Sequence, residues 1–211
     1  MTESGSTPHR ILREAAHLFS RKGYHGTTTR EIADAVGVRQ PSLFHHFASK
    51  AEIAKALYEY DLQRSPALRG EGALPDCTPP VRLYQGIRIE VELEITSAYD
   101  LRGLYLSSLP DEPDFARYRE AQAAALAFFG DIIETGIESG DFVAENPQLI
   151  LEVMDGVLNQ TLRWQPENRA PATPDDVAAL MLRLVLKRPS RIPSIRRAAD
   201  RAAKEPGISA R

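Results

Sequence analysis

The sequence predicts an all-α protein in which a small N-terminal helical head precedes a larger all-helical domain. Three observations carry this expectation. Apolar residues recur at helical spacing through most of the chain, no stretch alternates convincingly enough to demand a strand, and Gly and Pro fall between the periodic segments rather than inside them. At 211 residues and 43% hydrophobic content the chain is long enough for such a pair of domains, each with a buried core.

In order, Ile11, Ala15, Leu18 and Phe19 define a first helix that stops at Gly23. Thr28 followed by Glu31 is a capping box, in which the Thr oxygen takes an orphan amide and the Glu reaches back. It opens a second helix through Ile32, Ala33 and Val36 that ends at Gly37. Val38 and Arg39 make a turn, Pro41 sits in the tolerated first turn of a short third helix, and Leu43 and Phe47 share its inner face. Ser49 and Glu52 form a second capping box, opening a fourth helix that runs to about Gln63. Residues 65–80, rich in Pro and Gly, read as a long loop. Further helices are expected from about Val81 to Tyr99, Arg102 to Ser108, Phe115 to Ser139, Pro147 to Trp164 and Pro174 to Lys187. The tail from Pro189 to Arg211 is basic, interrupted by Pro and poor in large apolar residues, so it is expected to be flexible.

Charge divides the chain in the same way. Residues 1–50 hold 7 Lys and Arg against 4 Asp and Glu, a balance of +3, and all five histidines. Residues 51–186 hold 11 against 23, a balance of −12, and residues 187–211 hold 8 against 2, a balance of +6. A basic head ahead of an acidic domain points to a head that faces phosphate, since an acidic surface laid on a duplex would be repelled. The lone Cys77 excludes an intrachain disulfide and disfavours thiolate chemistry. No apolar run approaches the length of a membrane span, and the first eight residues lack the features of a secretory signal, so a cytoplasmic location with no membrane partner is expected. An enzyme is not expected, since there is no nucleophile elbow, P-loop, dinucleotide fingerprint or zinc-protease motif. No cofactor is expected either.

The stretch TTREIADAVGVRQPSLFHHFASK, Thr28 to Lys50, has the helix, Gly-containing turn and second helix of a DNA-binding helix-turn-helix, with small Ala33 where the helices approach. The longer segment Ile11 to Leu57, with its Gly-Tyr, Thr cluster, I-A-x-x-x-G-V, L-F-x-H-F and final S-K, resembles the N-terminal domain of the tetracycline-repressor (TetR) family. The resemblance implies a regulator, expected to be a repressor, that binds a palindromic operator as a homodimer and is released by an unidentified small molecule. It divides the chain into a DNA-binding domain at 1–50, a ligand-binding and dimerisation domain at 51–188 and a basic tail at 189–211.

Carried over residue by residue, it puts Thr28 and Thr29 near the backbone, Arg30 near a base edge or phosphate, and Gln40, Pro41 and Ser42 at the groove-facing start of the recognition helix. Gln suits adenine, Arg suits guanine, and the Pro ring suits a thymine methyl. Phe44, His45 and His46 follow. Lys50, at the start of the fourth helix, is expected to reach a phosphate. Two positions depart from the family pattern: Phe44 lacks the hydroxyl of the more common Tyr, and Arg39 replaces a Ser cap, offering a charge contact in exchange. Thr28 is fully explained as a cap, with or without a phosphate contact. A metal at His45 and His46 is disfavoured, because neighbouring helical residues point about 100° apart. Arg30, Gln40 and Lys50 have no evident core role.

Beyond the head, two wide apolar stripes, Leu149 to Leu162 and Val177 to Val185, need partners, and in the family the corresponding helices pair with their copies in a second subunit. Tyr84, Tyr99, Tyr105, Phe128, Met154 and Trp164 are the candidates to line an apolar effector pocket. Glu90 and Glu94 share a helix face that reads as solvated.

Overall fold

The structure is a computed structural model that describes residues 5–71, 77–167 and 171–203. Ten α-helices make up its frame: α1 (Thr7–Lys22), α2 (Thr29–Val36), α3 (Gln40–His46), α4 (Lys50–Arg64), α5 (Pro79–Ile95), α6 (Arg102–Tyr105), α7 (Ala116–Glu138), α8 (Pro147–Thr161), α9 (Pro174–Val185) and α10 (Ile192–Ala202). Among the described residues the only β pairing is an isolated bridge between Phe142 and Leu186. The chain forms two compact units, one of residues 1–64 with 96–120 and the other of 65–95 with 121–211.

In the first unit, α1 buries Ile11, Leu12, Ala15, Ala16 and Phe19, and α2 buries Ile32, Ala33 and Val36. The Thr28 capping box is complete, and Gly37 ends α2 in the left-handed conformation (φ 76°, ψ 33°) that favours Gly because it has no Cβ. α3 contributes Leu43 to the same core, and α4 contributes Ile53, Ala54, Leu57 and Tyr58. The segment after residue 96 belongs to this core as well. Tyr58 stacks on Tyr118 at 4.7 Å between ring centroids and donates from its hydroxyl to the Leu104 carbonyl at 3.1 Å. Gly103 lies against the α1 backbone so closely that a Cβ there would stand 2.2 Å from the Phe19 carbonyl carbon.

In the second unit, α5 is buried on several sides, with Leu83, Tyr84, Ile87 and Val91 fully enclosed. Ile132 and Ile133 of α7, Met154 of α8, and Ala178, Met181, Leu182 and Val185 of α9 complete the core around it. Two expectations are corrected here. The segment 192–202 is a helix, not a flexible stretch: Ile192, Ile195 and Ala199 recur at helical spacing and are buried in this core. Glu90 and Glu94 do not make a solvated face. Ser65, itself buried, donates to Glu90 at 3.0 Å, and the fully buried Thr161 donates to Glu94.

Candidate nucleic-acid interface

The recognition surface is built on one buried residue. Leu43 is fully enclosed and fixes the rotation of α3, so that Pro41, Ser42, Phe44, His45 and His46, on the remaining faces, are exposed. Phe44 is 44% exposed, an unusual position for a large apolar ring on a short helix with no covering segment in its own unit. The His45 and His46 rings meet edge to face at 5.5 Å, and no cluster of metal-ligating residues occurs among the described residues.

At the start of α3, the Gln40 amide donates to Thr29 Oγ1 at 2.9 Å. This bond ties the first residue of the recognition helix to the first residue of α2 and aims the Gln side chain before any partner arrives. Arg30 and Arg39 are exposed and bracket this pair. Arg39 stands at the N-cap of α3 without a side-chain capping bond, so its guanidinium is left for other partners.

Beneath this surface, Glu31 holds the α2 N-terminus. It accepts from the Thr28 amide at 2.8 Å and from Lys22 at 2.6 Å, and these contacts bring its carboxyl down to about 2. Arg10 donates to the Val36 carbonyl, closing the other end of α2. Nothing in the sequence pattern singled out Arg10 or Lys22 for these roles, because each pairs with an atom made available only by the packing of α1 on α2.

Lys50 has a partner set that the sequence does not reveal. Its ammonium donates to the carbonyls of Tyr24 and Thr27, both at 2.7 Å, and lies 4.2 Å from the Tyr24 ring centroid. Burial there lowers its pKa. The expectation that Lys50 lacks a role inside the protein is therefore corrected: in the absence of DNA it ties α4 to the turn between α1 and α2.

The six aromatic and sulfur residues named for an effector pocket fall in two separate cores. Tyr99 and Tyr105 belong to the first unit, where Tyr99 packs edge to face on Tyr60 and the Tyr105 hydroxyl donates to Asp61 at 2.7 Å. Tyr84, Phe128, Met154 and Trp164 belong to the core of the second unit, where the Tyr84 hydroxyl donates to Asp175 at 2.6 Å. Helical spacing alone could not separate the two groups, since the chain crosses between units at 64–65, 95–96 and 120–121.

On the second unit, Leu149 and Val153 of α8 and Leu180 and Leu184 of α9 are each about half exposed or more, at 55%, 48%, 59% and 54%. Each pair is spaced four residues apart, so each makes one apolar row along its helix.

Comparison with known proteins gives two matching family models, "Bacterial regulatory proteins, tetR family" over residues 11–57 and "Tetracyclin repressor-like, C-terminal domain" over residues 103–188. The HTH-type transcriptional repressor KstR2 of Mycobacterium tuberculosis is 27% identical over 183 residues, which cover 83% of this chain and 89% of that protein. The solved structure of that ketosteroid transcriptional regulator superimposes with a TM-score of 0.69 at 25% identity, covering 87% of this chain and 97% of that one. Mycobacterium smegmatis AmtR gives a TM-score of 0.70 at 25% identity, over 100% of this chain and 99% of that one. AibR, solved in complex with isovaleryl coenzyme A and operator DNA, shares the fold at a TM-score of 0.66 and 21% identity, over 85% and 97% of the two chains.

Proposed function

We start from the fact that this chain belongs to the TetR family of bacterial regulatory proteins, and we propose that it is a repressor that binds a palindromic operator as a homodimer and is released by a small molecule. The observation that carries this reading is the exposed row on α3, held in place by buried Leu43 and by the Gln40 to Thr29 bond. A short helix that shows a Gln, a Pro ring, a Ser and two His, flanked by Arg30 and Arg39, has the donors, acceptors and cations that base edges and phosphates require.

Residues 1–50 carry the DNA contacts in this reading, and 51–188 carry pairing and sensing. The leucine and valine rows of α8 and α9 support the homodimer, because side chains of this size left half exposed on adjacent elements of the sequence gain most by covering one another across a two-fold axis. Phe128, Met154 and Trp164, with Tyr84, support an apolar effector site in the second unit, and Tyr99 and Tyr105 drop out of it. AibR supplies support at the level of the fold, as a protein of this architecture solved with both an acyl coenzyme A and an operator. No helix of the described residues is long and apolar enough to cross a membrane, and the protein acts on DNA in the cytoplasm.

The effector weakens operator binding by favouring an arrangement of the two heads that no longer fits successive major grooves. A ligand shifts such an equilibrium only by its differential affinity for the two arrangements, and a coupling of about 1 to 3 kcal/mol corresponds to roughly 5- to 150-fold in operator affinity. A metabolite panel screened by thermal shift identifies the effector, whose affinity is then measured by calorimetry with and without saturating operator. Operator is expected to weaken effector binding by the same factor that effector weakens operator binding. An effector affinity indifferent to operator would show that the second unit pairs but does not signal.

A further inference from the structure

The one strongly basic segment outside the head is not a loose tail but a docked surface. Its helix α10 buries Ile192, Ile195 and Ala199 in the core of the second unit and is clamped at its edges, with Arg88 donating to Asp200 at 2.7 Å and Arg196 to Asp175 at 2.9 Å. Arg191 is paired with Asp141. These contacts consume some of the charge and leave the rest. Arg183, in the last turn of α9, with Lys187, Arg188, Arg197 and Arg201, is exposed and forms no ion pair among the described residues. Arg197 and Arg201 lie one turn apart on the face of α10 opposite its buried residues, an arrangement in which like charges repel.

We propose that this arginine-rich face of α9 and α10 is a second, sequence-independent contact surface for the phosphate backbone of duplex DNA. The charge distribution argues for DNA over an acidic protein surface. The head contributes only +3, whereas residues 51–186 contribute −12, so without the segment 187–211 at +6 the field of the whole chain would oppose approach to a polyanion. Arginine is also the residue whose planar fork matches phosphate oxygens, and four of the five free cations here are Arg. Because α10 is anchored by its apolar face and two ion pairs, these side chains start from a fixed backbone and lose little order on binding.

The test compares the full-length protein with the triple variant Arg188→Gln, Arg197→Gln, Arg201→Gln for binding to a random-sequence duplex across about 50 to 200 mM salt. Neutralising three phosphate contacts is expected to lower the slope of log affinity against log salt by about three units per bound protomer and to weaken binding more than tenfold at the low-salt end. The corresponding Arg→Lys triple variant is expected to keep the slope. A charge-matched control at three other arginines, Arg117→Gln, Arg119→Gln, Arg163→Gln, is expected to keep it too. Thermal unfolding of each variant establishes that α10 remains docked. A slope in the first variant within one unit of the parent overturns the proposal, as does an equal loss in the charge-matched control. If the slope holds while light scattering shows a salt-dependent assembly lost in the triple variant, the face binds the acidic surface of a second copy, and the DNA proposal is equally overturned.

Discussion

Lys50 shows how a residue's type can be readable in the sequence while its partners are not. Its position at the start of a helix after Ser49 marks it as a cation near free amides, which is a phosphate site in general chemistry. The structure gives the ammonium two carbonyls and an aromatic face instead. Those carbonyls belong to Tyr24 and Thr27, which come within reach only because α4 folds back on the turn after α1, and no local pattern encodes that return. Thr28, by contrast, was legible in full, because a capping box is a contact between residues three apart. The two kinds of residue separate by experiment. Lys50→Met is expected to lower the unfolding free energy by about 2 kcal/mol without DNA, the range for losing a hydrogen-bonded charged donor from a part-buried site. Arg30→Ala, at an exposed site, is expected to leave stability within about 0.5 kcal/mol and to weaken DNA binding. Urea unfolding and operator titration of both variants check this, and a Lys50→Met protein as stable as the parent would contradict the structural role.

At the scale of elements, the helices of the head were legible to within a residue or two because Gly23, Gly37 and two Thr or Ser caps punctuate them. The less regular elements were not. α10 has only Ile192, Ile195 and several Ala for an apolar face, a stripe too narrow to make an isolated helix, and its order comes from the core that receives it. The expected helix from Val81 to Tyr99 ends at Ile95, and Tyr99 goes to the other unit. α6 is a single turn whose place is fixed by contact with α1, where Ser20 Oγ accepts from the Gly103 amide at 3.2 Å and donates to the Asp100 carbonyl at 3.2 Å. Gly103→Ala tests this docking directly. Its Cβ would meet backbone atoms of Phe19 and Ser20, which cannot swing aside as a side chain would. The substitution is expected to cost about 1 to 3 kcal/mol, read from the thermal midpoint, with Gly156→Ala, which meets nothing within 4 Å, as the tolerated control. Equal stability of the two variants would place α6 elsewhere.

For the whole molecule, the sequence carried the division of labour in its charge, a basic head, an acidic body and a basic end, and the structure converts the last of these from a tail into a surface. It also carried the two apolar stripes of α8 and α9. What it could not separate was which stripe residues fill the monomer: Met154, Met181 and Leu182 are buried, while Leu149, Val153, Leu180 and Leu184 stand out. The claim that joins all scales is that two heads, paired through those outward rows, read two half-sites. It is tested by selecting the preferred duplex from a random pool with the full-length protein, and then measuring the mass of the complex by light scattering for the parent and for Leu180→Glu, Leu184→Glu. The account expects a two-fold symmetric site with half-sites about 34 to 36 Å apart, two protomers per duplex, and a monomeric double variant that retains its fold but has lost most of its affinity for the full site. Selection of a single asymmetric half-site, bound by one protomer with the same affinity in both proteins, would contradict it.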